Sequence, residues 1–135
     1  MARDRSEPAS ASPRLFMIEL RCNDWERCLA WYRDQMGLRV VLRQPEDGFA
    51  MLEAGGVRLA LKRRAPGAVM PTHPDQGPML IFEVADVAAE LARLTAAGTP
   101  LLKPLATNLE GYRRAVVADP EGHPVTLFAF QMAPA

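Results

Sequence analysis

Serine is missing from this chain beyond its first dozen residues: Ser6, Ser10 and Ser12 are the only ones. All three sit in the polar stretch MARDRSEPASASPR, so a serine nucleophile held in a packed active site is excluded. Histidine is nearly as scarce, with His73 in a Pro-rich segment and His123 at a turn, too few for the usual His-based zinc site. The two cysteines, Cys22 and Cys28, fall in an interior strand and the helix after it, and read as buried reduced thiols rather than a disulfide. No Gly-rich loop is built to cradle phosphate, since Gly55-Gly56 reads as a hairpin turn. Neither charge sign is in excess, with 16 acidic and 16 basic side chains, which argues against a nucleic-acid partner. No apolar run approaches the length of a membrane span. The N-terminal stretch lacks the apolar core of a signal peptide, so residues 1–13 are expected to be a disordered tail and the protein cytoplasmic.

What is present is a duplication. With 135 residues the chain is expected to form one domain with a real core. Two stretches align at an offset of 62 residues, MIELRCNDWERCLAWYRDQMG from Met17 and MLIFEVADVAAELARLTAAG from Met79. Each opens as an alternating strand, turns at Asp24 or Asp86, and continues as an amphipathic helix. Trp25, Leu29, Tyr32 and Met36 share a face of the first helix, and Val87, Leu91 and Leu94 share a face of the second. Asn23 or Asp24, and Asp86, are suitable N-caps, while Gly37 and Gly98 stand where helices stop. Three strand-like runs follow each helix: 38–44, 48–54 and 57–63, then 101–106, 112–118 and 123–130. PEDG (45–48), AGG (54–56), NLEG (108–111) and DPEG (119–122) are the turns between them. The chain therefore reads as two βαβββ modules, 14–63 and 78–131, joined by a linker over 64–77, and its fold class as α+β.

Two such modules, with "WYRDQMGL" ending the first helix, a "GGVRLAL" strand and a closing "DPEGHPVTLF", resemble the vicinal oxygen chelate superfamily. That superfamily includes glyoxalase I, extradiol dioxygenases and bleomycin-resistance proteins, and the resemblance spans residues 14–131. It implies a curled, cup-shaped mixed sheet with helices outside and a ligand on the concave face. It also implies where a metal would sit in metal-dependent members: Met17, Ala60, Met79 and Thr126. None of these is His, Glu or Gln, so the expectation is no metal and no other cofactor.

Strand alternation then gives a candidate lining. The apolar set Ile18, Leu20 and Cys22 must face the helix, which turns Met17, Glu19 and Arg21 toward the cup. The same parity adds Phe49, Met51, Glu53, Arg58, Ala60 and Lys62 from the first module. From the second it adds Met79, Ile81, Glu83, Pro124, Thr126, Phe128 and Phe130. The strand at 112–118 is ambiguous in parity, with Tyr112, Arg113 and Arg114 placed at the rim. Met17, Met51 and Met79 either fill the cup as core or shape themselves to an irregular apolar ligand. Charges do not normally share a dry core, so the set as a whole reads as a small-molecule pocket. Arg21 and Glu83 occupy equivalent module positions and either pair with each other or contact ligand. Trp25 reads as core, and Trp31, off the main stripe, as surface or dimer contact.

The functional expectation is a metal-independent binding protein resembling the drug-sequestering bleomycin-resistance type, with an aromatic or cationic small-molecule ligand and antibiotic resistance as its role. The resemblance adds a homodimer. The alternative is a glyoxalase- or dioxygenase-like enzyme with an atypical metal site or glutamate acid–base catalysis.

Overall fold

The computed structural model describes residues 13–68, 77–107 and 111–130. The expected tail over 1–13, except its last residue, lies outside them, as do His73 with the middle of the 64–77 linker and most of the NLEG turn. The elements are β1 (Met17–Cys22), α1 (Trp25–Ala30), β2 (Arg39–Gln44), β3 (Phe49–Ala54), β4 (Val57–Arg63), β5 (Leu80–Glu83), α2 (Val87–Ala96), β6 (Leu101–Thr107), β7 (Tyr112–Ala118) and β8 (Pro124–Phe130). The strands form two four-stranded sheets with the same internal order, β1-β4-β3-β2 and β5-β8-β7-β6. In each, the strand before the helix pairs in parallel with the last strand of its module, and the remaining pairs are antiparallel. This is the α+β, twice-βαβββ architecture read from the sequence, with its sheet divided into two halves that do not close into one.

Local chemistry sets the element ends. The Asp24 carboxylate accepts from the Arg27 amide at 3.2 Å, and the Asp86 carboxylate from the Ala89 amide at 3.0 Å, so both helices begin on an Asp cap. At the β2–β3 turn Gly48 adopts φ 60°, and a Cβ there would lie 2.5 Å from the Cβ of Arg63. Replacing Gly48 by alanine therefore combines left-handed strain with a clash against an atom next to the backbone. We expect a loss of about 2 kcal/mol in urea unfolding, against about 1 kcal/mol for Gly55→Ala, where nothing crowds the added methyl.

Burial alternates along β3 and the end of β1 as period two requires, whereas the central strands β4, β7 and β8 carry runs of consecutive buried residues. Leu20, Cys22, Ala50, Leu52, Leu59 and Leu61 are buried on the helix side of the first sheet, and Ala115, Val117, Val125 and Leu127 on that of the second. Trp25 joins α1 to β4, its indole N–H donating to the Leu61 carbonyl at 3.0 Å.

Beyond Ala30 the first helix widens into a π turn, Trp31–Gln35. Its Cys28–Trp31–Tyr32 flank does not face solvent, because the second module covers it. The Trp31 indole N–H donates to the Thr99 hydroxyl at 3.1 Å, and the Tyr32 hydroxyl donates to the Asp119 carboxylate at 2.7 Å. Trp31 is thus a core residue and not the surface or dimer contact expected of it. A helical wheel shows one stripe, whereas this helix is packed from two sides. The Glu121 carboxylate completes the joint by accepting from the Asn23 and Asp24 amides at 2.7 and 2.8 Å. The DPEG turn is therefore the clasp that holds the second module to the first helix. Among the described residues no helix is long and apolar enough to cross a membrane.

Candidate functional site

The face of each sheet turned away from the helices carries the candidate residues, and register puts them in rows. Cross-strand partners project to the same side. On the first sheet Glu19, Ala60, Met51 and Leu42 form one row. Met17, Arg58 and Glu53 form the row on one side of it, and Arg21, Lys62 and Phe49 the row on the other. On the second sheet Ile81, Thr126 and Val116 share a row, and Glu83, Phe128 and Arg114 share the next. The pairing Arg114↔Phe128 settles the parity of β7: Tyr112, Arg114 and Val116 lie on the open face, and Arg113 on the other. Arg114 is thus a site candidate that sequence reasoning left at the rim. Its signal was only its two-residue spacing from Tyr112, which needs the β7–β8 register to acquire a direction.

Polar contacts of these residues stay within one sheet. Glu19 pairs with Arg21 at 2.8 Å, and Arg58 lies 3.8 Å from Glu53 with its guanidinium 5.2 Å from the Phe16 ring centre. The ion pair considered between Arg21 and Glu83 does not form, because Glu19, two residues away on the same face of β1, takes the guanidinium first. Lys62 is occupied as well, donating to the Asp47 carbonyl at 2.8 Å. A cleft of about 180 Å³ runs where β1 and β4 meet β5, and of the predicted residues Arg58, Met79 and Ile81 line it.

The second sheet's face is the more apolar and the more open. Ile81 and Phe130 are 61% and 62% exposed. Phe128 and Phe130 have ring centres 5.2 Å apart, and both rings pack edge-on against Tyr112. In the middle of that face Thr126 is buried, and its hydroxyl donates to the Met79 sulfur at 3.1 Å.

Residues 14–127 match the family described as the Glyoxalase/Bleomycin resistance protein/Dioxygenase superfamily. The chain belongs to that superfamily. Among solved structures it is similar to TioX from Micromonospora sp. ML1, with 30% identity over 87% of this chain and 98% of that one and a TM-score of 0.69. A glyoxalase-related enzyme from Fulvimarina pelagi shares 28% identity over 86% of this chain and 87% of its own, with a TM-score of 0.72. A lactoylglutathione lyase from Agrobacterium tumefaciens, at 23% identity, covers 91% of this chain and 95% of its own with a TM-score of 0.67, a likeness of fold alone. Nothing among the curated proteins matches.

The metal of the superfamily's metal-dependent members does not fit the residues this chain puts in its place. Ala60 has no donor atom, and the hydroxyl of Thr126 is spent on the sulfur of Met79. Methionine thioethers, from Met17 and Met79, suit soft ions and not the hard divalent ions of such centres. Among the described residues no three of His, Cys, Asp and Glu come together as a substitute.

Glu19, once the obvious acidic anchor, is already satisfied by Arg21. Both side chains are part-exposed, at 28% and 54%, so the pair resembles a surface ion pair. Glu19→Gln should change unfolding free energy by less than about 1 kcal/mol in urea titration. A loss above about 2 kcal/mol would show that the carboxylate supports the sheet in some other way.

Proposed function

We propose that this superfamily member is a metal-independent small-molecule binding protein of the drug-sequestering kind. One observation carries the reading. At the four positions where metal-dependent relatives would hold an ion stand Met17, Ala60, Met79 and Thr126, and the last two are bonded to each other. Without a His, Glu or Gln at any of the four, those positions offer little hold for a hard metal ion, while Met, Phe and Ile on the same face suit an apolar ligand. Methionine adds adaptability to irregular shapes.

Two further elements belong to the proposal. A second copy of the chain completes the site by covering the exposed apolar side chains of Met79, Ile81 and Phe130 on the open face and of Leu15 and Phe16 at the β1 edge. The protein acts in the cytoplasm, where its two free, buried thiols stay reduced.

Elemental analysis of protein purified without chelator should find far less than one Zn, Fe, Mn or Ni per chain. Near-stoichiometric metal would return the molecule to the enzyme reading. A thermal-shift panel of planar aromatic antibiotics should give at least one saturable stabiliser. A ligand at a hundred times its Kd adds about 2.7 kcal/mol, which is easily seen. Light scattering should give a mass near twice the 14.9 kDa of one chain, and a stable monomer at micromolar concentration would remove the second copy from the proposal.

A further inference from the structure

The open face of the second sheet carries more than apolar surface. Glu83, Phe128 and Arg114 stand side by side on β5, β8 and β7, so a carboxylate and a guanidinium flank one aromatic ring. Adjacent strands are about 4.8 Å apart, which puts the two charged residues roughly 10 Å from each other across that ring. Neither charge is spoken for: among the described residues the side chains of Glu83 and Arg114 have no hydrogen bond or ion pair. On the first sheet Arg21, the counterpart of Glu83, is instead neutralised by Glu19. One row further along, Tyr112 pairs with Phe130. The rings of Tyr112, Phe128 and Phe130 stand at 75° to 82° to each other, with centres 5.2 to 6.4 Å apart. Three mutually upright rings make a corner rather than a flat stack, so a planar group lying on one ring meets the others with its edge.

We infer that the second module selects a flat aromatic zwitterion, its organic cation held by Glu83 and the aromatic corner and its anionic group by Arg114. The inference rests on the small-molecule reading above and deepens it. Aromatic faces attract organic cations through the ring quadrupole, and a carboxylate in the same row strengthens the preference. A guanidinium forks onto a carboxylate or phosphate with two parallel bonds, which fixes the orientation of the ligand. Opposite charges at the two ends of the row also favour one direction of binding over its reverse, since reversal sets like charges against each other. A neutral flat molecule would gain only the ring contacts.

Three xanthene dyes separate these contributions, because they share a plane and differ in charge: zwitterionic rhodamine B, its cationic ester relative rhodamine 6G, and anionic fluorescein. Fluorescence anisotropy with the full chain should rank rhodamine B first. Arg114→Met should weaken rhodamine B at least tenfold and leave rhodamine 6G within about twofold. Glu83→Gln should weaken both cationic dyes at least fivefold. Phe128→Leu, chosen to preserve the packing that Phe128→Ala would lose, should weaken all three, with circular dichroism confirming the fold. Rhodamine B binding that ignores both charge variants would overturn this inference and leave the broader reading standing, because the dye would then sit elsewhere on the protein. Failure of all three dyes to bind at millimolar concentration would also overturn it, and the antibiotic panel would then decide separately whether the chain binds small molecules at all.

Discussion

Replacing Asp119 by alanine should cost about 4 kcal/mol or more, enough to leave many chains of this size unfolded at 37 °C. The carboxylate is fully buried and makes five polar contacts. One oxygen takes the backbone amides of Glu121 and His123, each at 2.9 Å, and so forms the Asx turn that begins DPEG. The other takes the Tyr32 hydroxyl at 2.7 Å and, more distantly, the Cys28 thiol at 4.0 Å, and meets Nδ1 of His123 at 2.8 Å. Alanine removes the acceptor and leaves the donors. A buried donor without a partner costs about 1–3 kcal/mol, and Tyr32 is wholly enclosed where no water can replace the lost oxygen. Tyr32→Phe removes one donor instead and should cost only about 1 kcal/mol. The two effects are coupled: in the alanine background the phenylalanine change should cost nothing or restore some stability, giving an interaction energy of about 1–2 kcal/mol in a double-mutant cycle. Additive effects, or a loss below about 1 kcal/mol for Asp119→Ala, would mean that the joint between modules does not depend on this carboxylate.

That joint marks the boundary between what the sequence shows and what it hides. Strands and helices were legible because their causes are local. Period-two alternation placed Leu20 and Cys22 on one side of β1 and Met17 and Glu19 on the other, and Asp24 and Asp86 marked the helix starts. The joint has no local cause. Tyr32 and Asp119 are 87 residues apart, and Asn23 and Glu121 are 98 apart. Asp119 looked like a turn residue and is one, but its bonds from Tyr32 and Cys28 come from docking that no pattern in DPEGH reveals. Trp31 was misplaced for the same reason, since Thr99 is invisible to a wheel drawn for the first helix alone. The candidate face was half legible. Its composition followed from parity. Which charges are free did not follow. Both Glu19 and Glu83 point the right way, but only the structure shows Glu19 tied to Arg21, and only the β7–β8 register turns Arg114 toward Phe128.

The same buried cluster should make the protein markedly sensitive to alkali. Cys28 and Tyr32 both hold their protons far more tightly in the fold than in the open chain. For Cys28 the cause is first the nearby Cys22 thiol, then burial, then the negative charge of Asp119 and Glu121. For Tyr32 it is first burial, then the charge and hydrogen bond of Asp119. An unfolded chain releases these protons around their ordinary values of 9.0 and 10.0, while the folded chain keeps them. Above pH 9 the folded state therefore binds more protons than the unfolded one, and by linkage its stability falls as pH rises. The contribution is intact below pH 9. Each group then removes up to about 1.4 kcal/mol per pH unit, so by pH 11 the pair accounts for at most about 4 kcal/mol. Urea titrations at successive pH values should show stability level to about pH 9 and dropping steeply beyond it. Tyr32→Phe and Cys28→Ala should each start less stable at neutral pH yet lose less on the way to pH 11, since each lacks one of the protons concerned. In the Tyr112→Phe protein, where Tyr32 is the remaining tyrosine, tyrosinate absorbance should rise only with the unfolding transition, and a thiol reagent should reach Cys28 at the same point. If the two variants decline as steeply as the parent, the alkaline loss has another origin, and the Cys28–Tyr32–Asp119 cluster is not the element that alkali breaks.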